Sequence, residues 1–228
     1  MIHSFQRIAG AAFVALASVA FMAAPAHAQT DQQKLVNASS KTLSNFLRDP
    51  DMTWLQNNIG RAKAVLIAPE IAKAGFIIGG SGGHAVLVAH QAPAGKWAGP
   101  AFYTLATASV GFQAGVSVSE NVTLVMTEKG FNSLLANSVK LGGDASVAAG
   151  PVGAGAKSDV VADLITFSRS KGVYGGLNLD GTVVAPANDW NNKYYGKEVL
   201  PPDILIRMTA HNKQADALVA QITKATKK

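Results

Sequence analysis

The chain contains no cysteine. Disulfides, thiol catalysis, cysteine metal ligands and a diacylated-cysteine membrane anchor are thereby excluded together. Charge is sparse as well: 15% of residues are Asp, Glu, Lys or Arg, and aromatics make up 7%. A nucleic-acid binder would normally cluster Lys and Arg with stacking aromatics, so this composition argues against that class. A Pro/Ser-rich linker and a dividing block of charge are also lacking. A single domain is expected, since about 200 residues suffice to bury a substantial core.

What is present begins at the amino terminus. His3 and Arg7 precede an uncharged apolar run over residues 8–24, followed by Pro25 and Ala26-His27-Ala28, a small-x-small pattern. This reads as a secretory signal peptide cleaved after Ala28; Gly10, Ser18 and several alanines argue against a transmembrane anchor. The expected division is a signal peptide over residues 1–28 and one domain, with a C-terminal helix and basic tail, over residues 29–228. Loss of Arg7 leaves 19 basic against 14 acidic side chains, a formal +5. A periplasmic or secreted protein of a bacterial envelope is expected. The positive bias suits an anionic membrane surface and is equally ordinary for an exported protein.

Thr30 and Gln33 form a candidate capping box that opens a helix carrying Leu35, Val36, Leu43, Phe46 and Leu47 on one side, with Pro50 ending it. Lys34, Lys41 and Arg48 recur every seven residues on the opposite side. Such a helix either lies in a membrane interface or docks on its own domain with its cations in water, and the spacing favours docking. A second short helix is expected over residues 54–61. Strands are expected over residues 65–68 and 76–78, separated by a short helical turn at Pro69-Glu70-Ile71-Ala72. The run Gly79-Gly80-Ser81-Gly82-Gly83 then reads as a turn into a strand over residues 85–89.

Small apolar residues and glycines dominate residues 95–181. Over residues 102–118 the even positions are apolar or Thr, among them Phe102, Thr104, Ala106, Ala108, Val116 and Val118, a strand period with one buried face expected. Further strands are expected over residues 121–127, 144–149, 164–170, 173–179 and 182–185, the last two joined by the turn Asp180-Gly181. A helix is expected over residues 128–139. Another, after Pro201-Pro202, carries Ile204, Leu205, Met208, Ala215, Leu218, Val219 and Ile222 at helical spacing. Strands do not alternate with long helices. The expected class is α+β: a curved, mainly antiparallel sheet or barrel flanked by N-terminal and C-terminal helices.

Three motifs suggest chemistry and fall short of it. Gly79-Gly80-Ser81-Gly82-Gly83 satisfies the GxSxG pattern of a serine hydrolase, but that elbow needs a strand-to-helix turn and Ser81 precedes a strand-like run, so a hydrolase is a remote alternative. Residues 150–158 come within one residue of a phosphate-binding loop, with Ala156 where the lysine must stand and Pro151 removing an amide donor. His84 and His90 lie six apart on one strand face without a third ligand, so no metal site is expected. Asp163 and Arg169 are candidates to pair across a hairpin, and Asp144 to cap a turn.

Several dispersed segments, in order, resemble the SYLF family of lipid-binding domains. They are Lys73-Ala74-Gly75-Phe76 with the glycine run after it, Gly95-Lys96-Trp97, Pro100-Ala101-Phe102, residues 142–153, residues 167–177, Tyr194-Tyr195-Gly196-Lys197-Glu198 and Asp203-Ile204-Leu205. The resemblance covers about residues 33–207. It implies a non-enzymatic domain without a cofactor that binds membrane lipids, phosphoinositides in eukaryotic members, some of which also bind actin.

Lipid binding needs exposed apolar side chains and Lys/Arg near anionic headgroups. The expected lipid-facing set is Lys34, Leu35, Lys41, Leu43, Phe46, Leu47 and Arg48, with Arg61 and Lys63 beyond, assisted by the tips of the glycine-rich hairpins. The expected partner is an anionic phospholipid surface; an envelope protein partner is the alternative. Actin is not expected in a bacterial envelope.

Overall fold

The computed structural model describes residues 29–75, 78–91, 95–110, 115–153, 160–170, 173–174 and 179–227; the expected signal peptide lies outside them. Helix α1 (Asp31–Arg48) starts at Thr30, whose hydroxyl accepts from the Gln33 amide at 3.3 Å. Only half of the capping box forms. The Gln33 side chain turns instead to Asn37 and to the Gln214 carbonyl, 2.8 and 3.2 Å away. Asp49 and Pro50 stop α1 and open a 3₁₀ turn leading into α2 (Thr53–Asn58).

Four long strands follow: β1 (Ala64–Gly75), β2 (Ile78–Gln91), β3 (Lys96–Val110) and β4 (Gly115–Val125). Helix α3 (Glu128–Leu134) separates them from β5 (Val139–Lys140), β6 (Val147–Ala149), β7 (Leu164–Ser170), β8 (Val173–Tyr174) and β9 (Val183–Pro186). The chain closes with α4 (Asn188–Tyr195), α5 (Pro201–Leu205) and α6 (Asp216–Ala225). The strands form one curled sheet in the order β5-β9-β3-β2-β1-β4-β7-β6, with β8 beside β7. Every pairing is antiparallel except β6 with β7. The α+β class with helices at both ends is as the sequence predicts.

Both faces of the sheet carry a core. On one side α1, α2 and α6 cover Val65, Ile67, Val86, Val88, Phe102, Val122 and Phe167. On the other, Leu66, Leu87, Tyr103, Leu105 and Leu164 pack with Phe131 of α3 and with Ile204 and Leu205 of α5. Burial of this kind contributes roughly 25 cal/mol per Å² of apolar surface and is what holds the helices to the sheet. Helices α1 and α6 also share polar ties: Ser40 donates to the Gln221 amide oxygen at 2.6 Å, and Gln221 returns a bond to the Ser40 carbonyl.

Several expectations are corrected. The segment around Pro69 is not a helical turn: β1 runs on to Gly75, and one extra residue is absorbed as a bulge between Ile67 and Glu70. Proline tolerates that position because a bulge leaves an amide unpaired anyway. Nor is the glycine run a turn. Gly79, Gly80, Gly82 and Gly83 lie inside β2, and their φ angles are not positive. Gly83 is needed for close approach, since a Cβ there would run into the Glu70 carbonyl at the bulge. The turn at Asp180-Gly181 forms, with the Thr182 amide donating to the Leu179 carbonyl at 2.9 Å, but β9 after it pairs with β3 and β5; residues 175–178 of the strand expected before the turn lie outside the described residues. The expected C-terminal helix is two: α5 ends at Leu205, and residues 206–212 are irregular, with Met208 at φ 51°. Arg169 pairs with Glu120 at 2.6 Å rather than with Asp163.

Candidate functional site

The bulge divides the helix-side face of the sheet into two parts. Before it, large side chains meet α1. Past it, beyond the row of Glu70, His84 and Thr104, the residues in register on that face are Ala72 and Ala74 of β1, Gly80 and Gly82 of β2, Ala106 and Ala108 of β3, and Val116 and Val118 of β4. Val116 is 73% exposed and Val118 43%. The even positions from residue 102 that the structure describes share a face, but among them that face is buried only at Phe102; Thr104, Ala106 and Ala108 are exposed. The buried set on β3 is Ala101, Tyr103 and Leu105 on the other side.

Where α1 meets this bare face, a groove of about 380 Å³ opens between Lys34, Leu35 and Ala38 of the helix and Glu70, Ala72 and Gly82 of the sheet. Its far wall is His84 and Trp190, stacked with ring centroids 4.1 Å apart and planes inclined by 24°. Trp190 is held there by α4, whose buried Asn191 bridges to β3. The Phe102 amide donates to Asn191 Oδ1 at 2.8 Å, and the Asn191 amide donates back to the Phe102 carbonyl at 3.3 Å. These bonds satisfy the strand edge where β9 ends.

A second cleft, about 400 Å³, lies between the end of α1, α2 and α6, lined by Leu47, Arg48, Gln56, Asn57, Gln221 and Lys224. The expected lipid-facing residues thus separate into groups. Lys34 and Leu35 stand at the groove, Leu47 and Arg48 at the cleft, and Lys41 on the outer side of α1 between them. Leu43 and Phe46 are 0% and 1% exposed. Their expected entry into a bilayer is corrected: in the docked helix their apolar surface is spent on the sheet, beneath Arg169, which lies 5.6 Å from the Phe46 ring. Arg61 is exposed and donates to Asn58, and Lys63 pairs with Glu128 at 2.8 Å.

Lys34, Lys41 and Arg48 are all exposed, with Lys34 held to Asp31 at 2.9 Å and no ion pair for the other two among the described residues. That contact, with the Lys34 hydrogen bond foremost, lowers the pKa of Asp31.

Ser81 sits mid-strand between Lys73 and Thr107, without the strand-to-helix elbow a nucleophile needs. The Gly150 amide donates to Thr166 and the Gly153 amide to Asp51, so both are spent on carbonyls; residues 154–159 of the phosphate-loop pattern lie outside the described residues. A Cβ at Gly150 would collide with the Phe167 ring. Among the described residues no three His, Asp or Glu side chains converge as metal ligands. Asp144 does cap its turn, accepting from the Lys140 amide at 2.8 Å. The bare face and the His84–Trp190 wall were not among the expected site residues. Only the smallness of the side chains on one strand face hinted at them.

The chain is similar to human SH3 domain-containing YSC84-like protein 1, 30% identical over 184 residues that make up 78% of this chain and 53% of the relative. It is similar to LAS seventeen-binding protein 3 of Saccharomyces cerevisiae (strain ATCC 204508 / S288c), 33% identical over 170 residues, 69% of this chain and 37% of the relative. The YSC84-like protein of Xenopus laevis is 29% identical over 154 residues, 65% of this chain and 45% of the relative. The chain spans about half the length of the curated relatives it matches. A family model described as "Ysc84: Las17-binding protein actin regulator" matches residues 106–225, more than half of the chain, from the outer part of β3 through α6. The chain therefore belongs to the Ysc84 family, whose domain is the SYLF domain.

Proposed function

We propose that this chain is a non-enzymatic module that associates peripherally with anionic phospholipid surfaces. The observation that carries the reading is the outer side of α1: Lys34, Lys41 and Arg48 all point into solvent while the apolar side of the helix is committed to the sheet. The row spans about 21 Å at ~1.5 Å per residue, a length suited to lying along headgroups. Each cation near an anionic surface contributes about 1 kcal/mol, less for Lys34 because Asp31 already holds it, so attachment is weak, reversible and salt-sensitive. Leu35 and Leu47 add only their half-exposed surface. Residues 1–28 are proposed to be a cleaved export signal, which delivers residues 29–228 to a periplasmic or extracellular membrane face. In that setting actin is not the partner.

Co-sedimentation with vesicles rich in phosphatidylglycerol tests the reading. Binding is expected to fall at least tenfold between low and physiological salt, and again when Lys34, Lys41 and Arg48 are all replaced by Glu. Binding indifferent to both changes would remove the assignment.

A second reading, a scaffold for an envelope protein, is favoured by one observation: the matched family is described as Las17-binding, a protein-binding role. A stoichiometric partner in a pull-down, with no vesicle binding, would select it.

A further inference from the structure

The groove beside α1 has a chemistry that cation attraction alone does not use. Trp190 and His84 form one wall. Glu70 stands across the strand pair from His84, exposed and without a salt bridge among the described residues. Lys34 borders the groove from the helix, already joined to Asp31. Asp31 is answered by Lys34 and also feels Lys193, so Glu70 is the lining carboxylate that favours a cation at the sheet side, while Lys34 keeps an ammonium on the helix side. Gly82 and Ala72 leave the floor open. An indole lining the same groove as a carboxylate that has no salt bridge among the described residues is a setting that attracts an organic ammonium through the ring quadrupole and the charge together.

We propose that this groove binds the headgroup of a zwitterionic phospholipid, a phosphate joined by two carbons to an ammonium. The ammonium sits against Trp190 and Glu70, and the phosphate turns to Lys34. This deepens the membrane reading and rests on it: the outer cations of α1 draw the domain to the surface, and the groove selects a headgroup there.

The test uses soluble headgroups, so that it reports the groove without vesicles. O-phosphoethanolamine and phosphocholine, titrated into the full chain, are expected to shift the Trp190 indole N–H resonance saturably, and inorganic phosphate at the same concentration is not. Affinity is expected to fall fivefold or more in Glu70→Gln, which keeps shape and removes charge, and in Ala72→Leu, which fills the floor. Neither position is buried, so both variants should fold. No shift, an equal response to inorganic phosphate, or unchanged affinity in both variants would overturn the proposal. Vesicles separate a lipid from a free headgroup: adding phosphatidylethanolamine to phosphatidylglycerol should strengthen binding of the parent chain and not of Glu70→Gln. No gain in the parent would overturn the lipid assignment. Should anionic vesicles still bind while the soluble headgroups do not, the headgroup proposal fails and the membrane reading stands.

Discussion

Strands β1 to β4 pass through two environments. In the half under α1 and α6 their helix-side residues are Val65, Ile67, Val86, Val88, Phe102, Val122 and Leu124, all sealed. In the outer half the same face presents Ala72, Ala74, Gly80, Gly82, Ala106 and Ala108, with Val116 and Val118 at one side. Hydrophobicity does not separate the halves; side-chain size does. Large residues fill the space under a helix, whereas Ala and Gly leave a shallow surface that exposes little apolar area per residue. Such a surface stays soluble and is still free to meet a partner.

The comparison breaks most visibly at Phe46, which seals the covered half. Phe46→Ala should cost about 3–5 kcal/mol in denaturant unfolding, because the cavity lies between α1 and a rigid sheet. Gly83→Ala, at the boundary itself, should cost about 1–3 kcal/mol, since the new methyl must push the Glu70 carbonyl aside.

Asp163, at the start of β7 in the covered half, gives a pH-dependent effect. Its carboxylate accepts from the Thr127 hydroxyl at 2.6 Å and from the Ser146 amide and hydroxyl at 2.9 and 2.8 Å, with Lys129 at 3.5 Å. The Thr127 bond foremost, then Ser146, lowers its pKa from 3.8 to about 2. Because the folded value lies below the unfolded one, the stabilisation is fully present above pH 4 and is lost as pH falls toward 2. It amounts to roughly 2 kcal/mol. Chemical denaturation of Asp163→Ala across that window should show a flatter pH dependence than the parent.

The smallest effect belongs to the bare half. Val116→Ser should change stability by no more than about 0.5 kcal/mol, since the side chain is 73% exposed. A larger loss would mean that something covers this face after all.

Much of the fold was legible because its signals are local. Thr30 and Pro50 bracket α1, Leu164–Ser170 is the strand its β-branched and apolar run predicts, and the docking of α1 follows from Lys34, Lys41 and Arg48 lying opposite Leu43 and Phe46. The bulge was not legible. Pro69 reads as a break, and only pairing with His84 on one side and Ser119 on the other turns it into an absorbed extra residue. The glycines misled for a related reason: Gly is as frequent where backbones crowd as where chains reverse, and Gly83 is the crowded kind. Of the candidate site, the cations could be read from spacing. The wall of His84 and Trp190 could not, because residues 106 apart in the chain meet only once α4 is pinned to β3 by Asn191.

The bulge at Pro69 also keeps time for the chain. Strict alternation from Val65 and Ile67 would bring Ile71 and Lys73 round to the helix side, placing a cation amid the alanines and stranding a large aliphatic in solvent. The supernumerary residue delays the beat by one, so Ile71 stays indoors and Ala72 faces out. Trimming one residue within that stretch should therefore be forgiven, while adding one just beyond it would exchange the two surfaces of the outer strand.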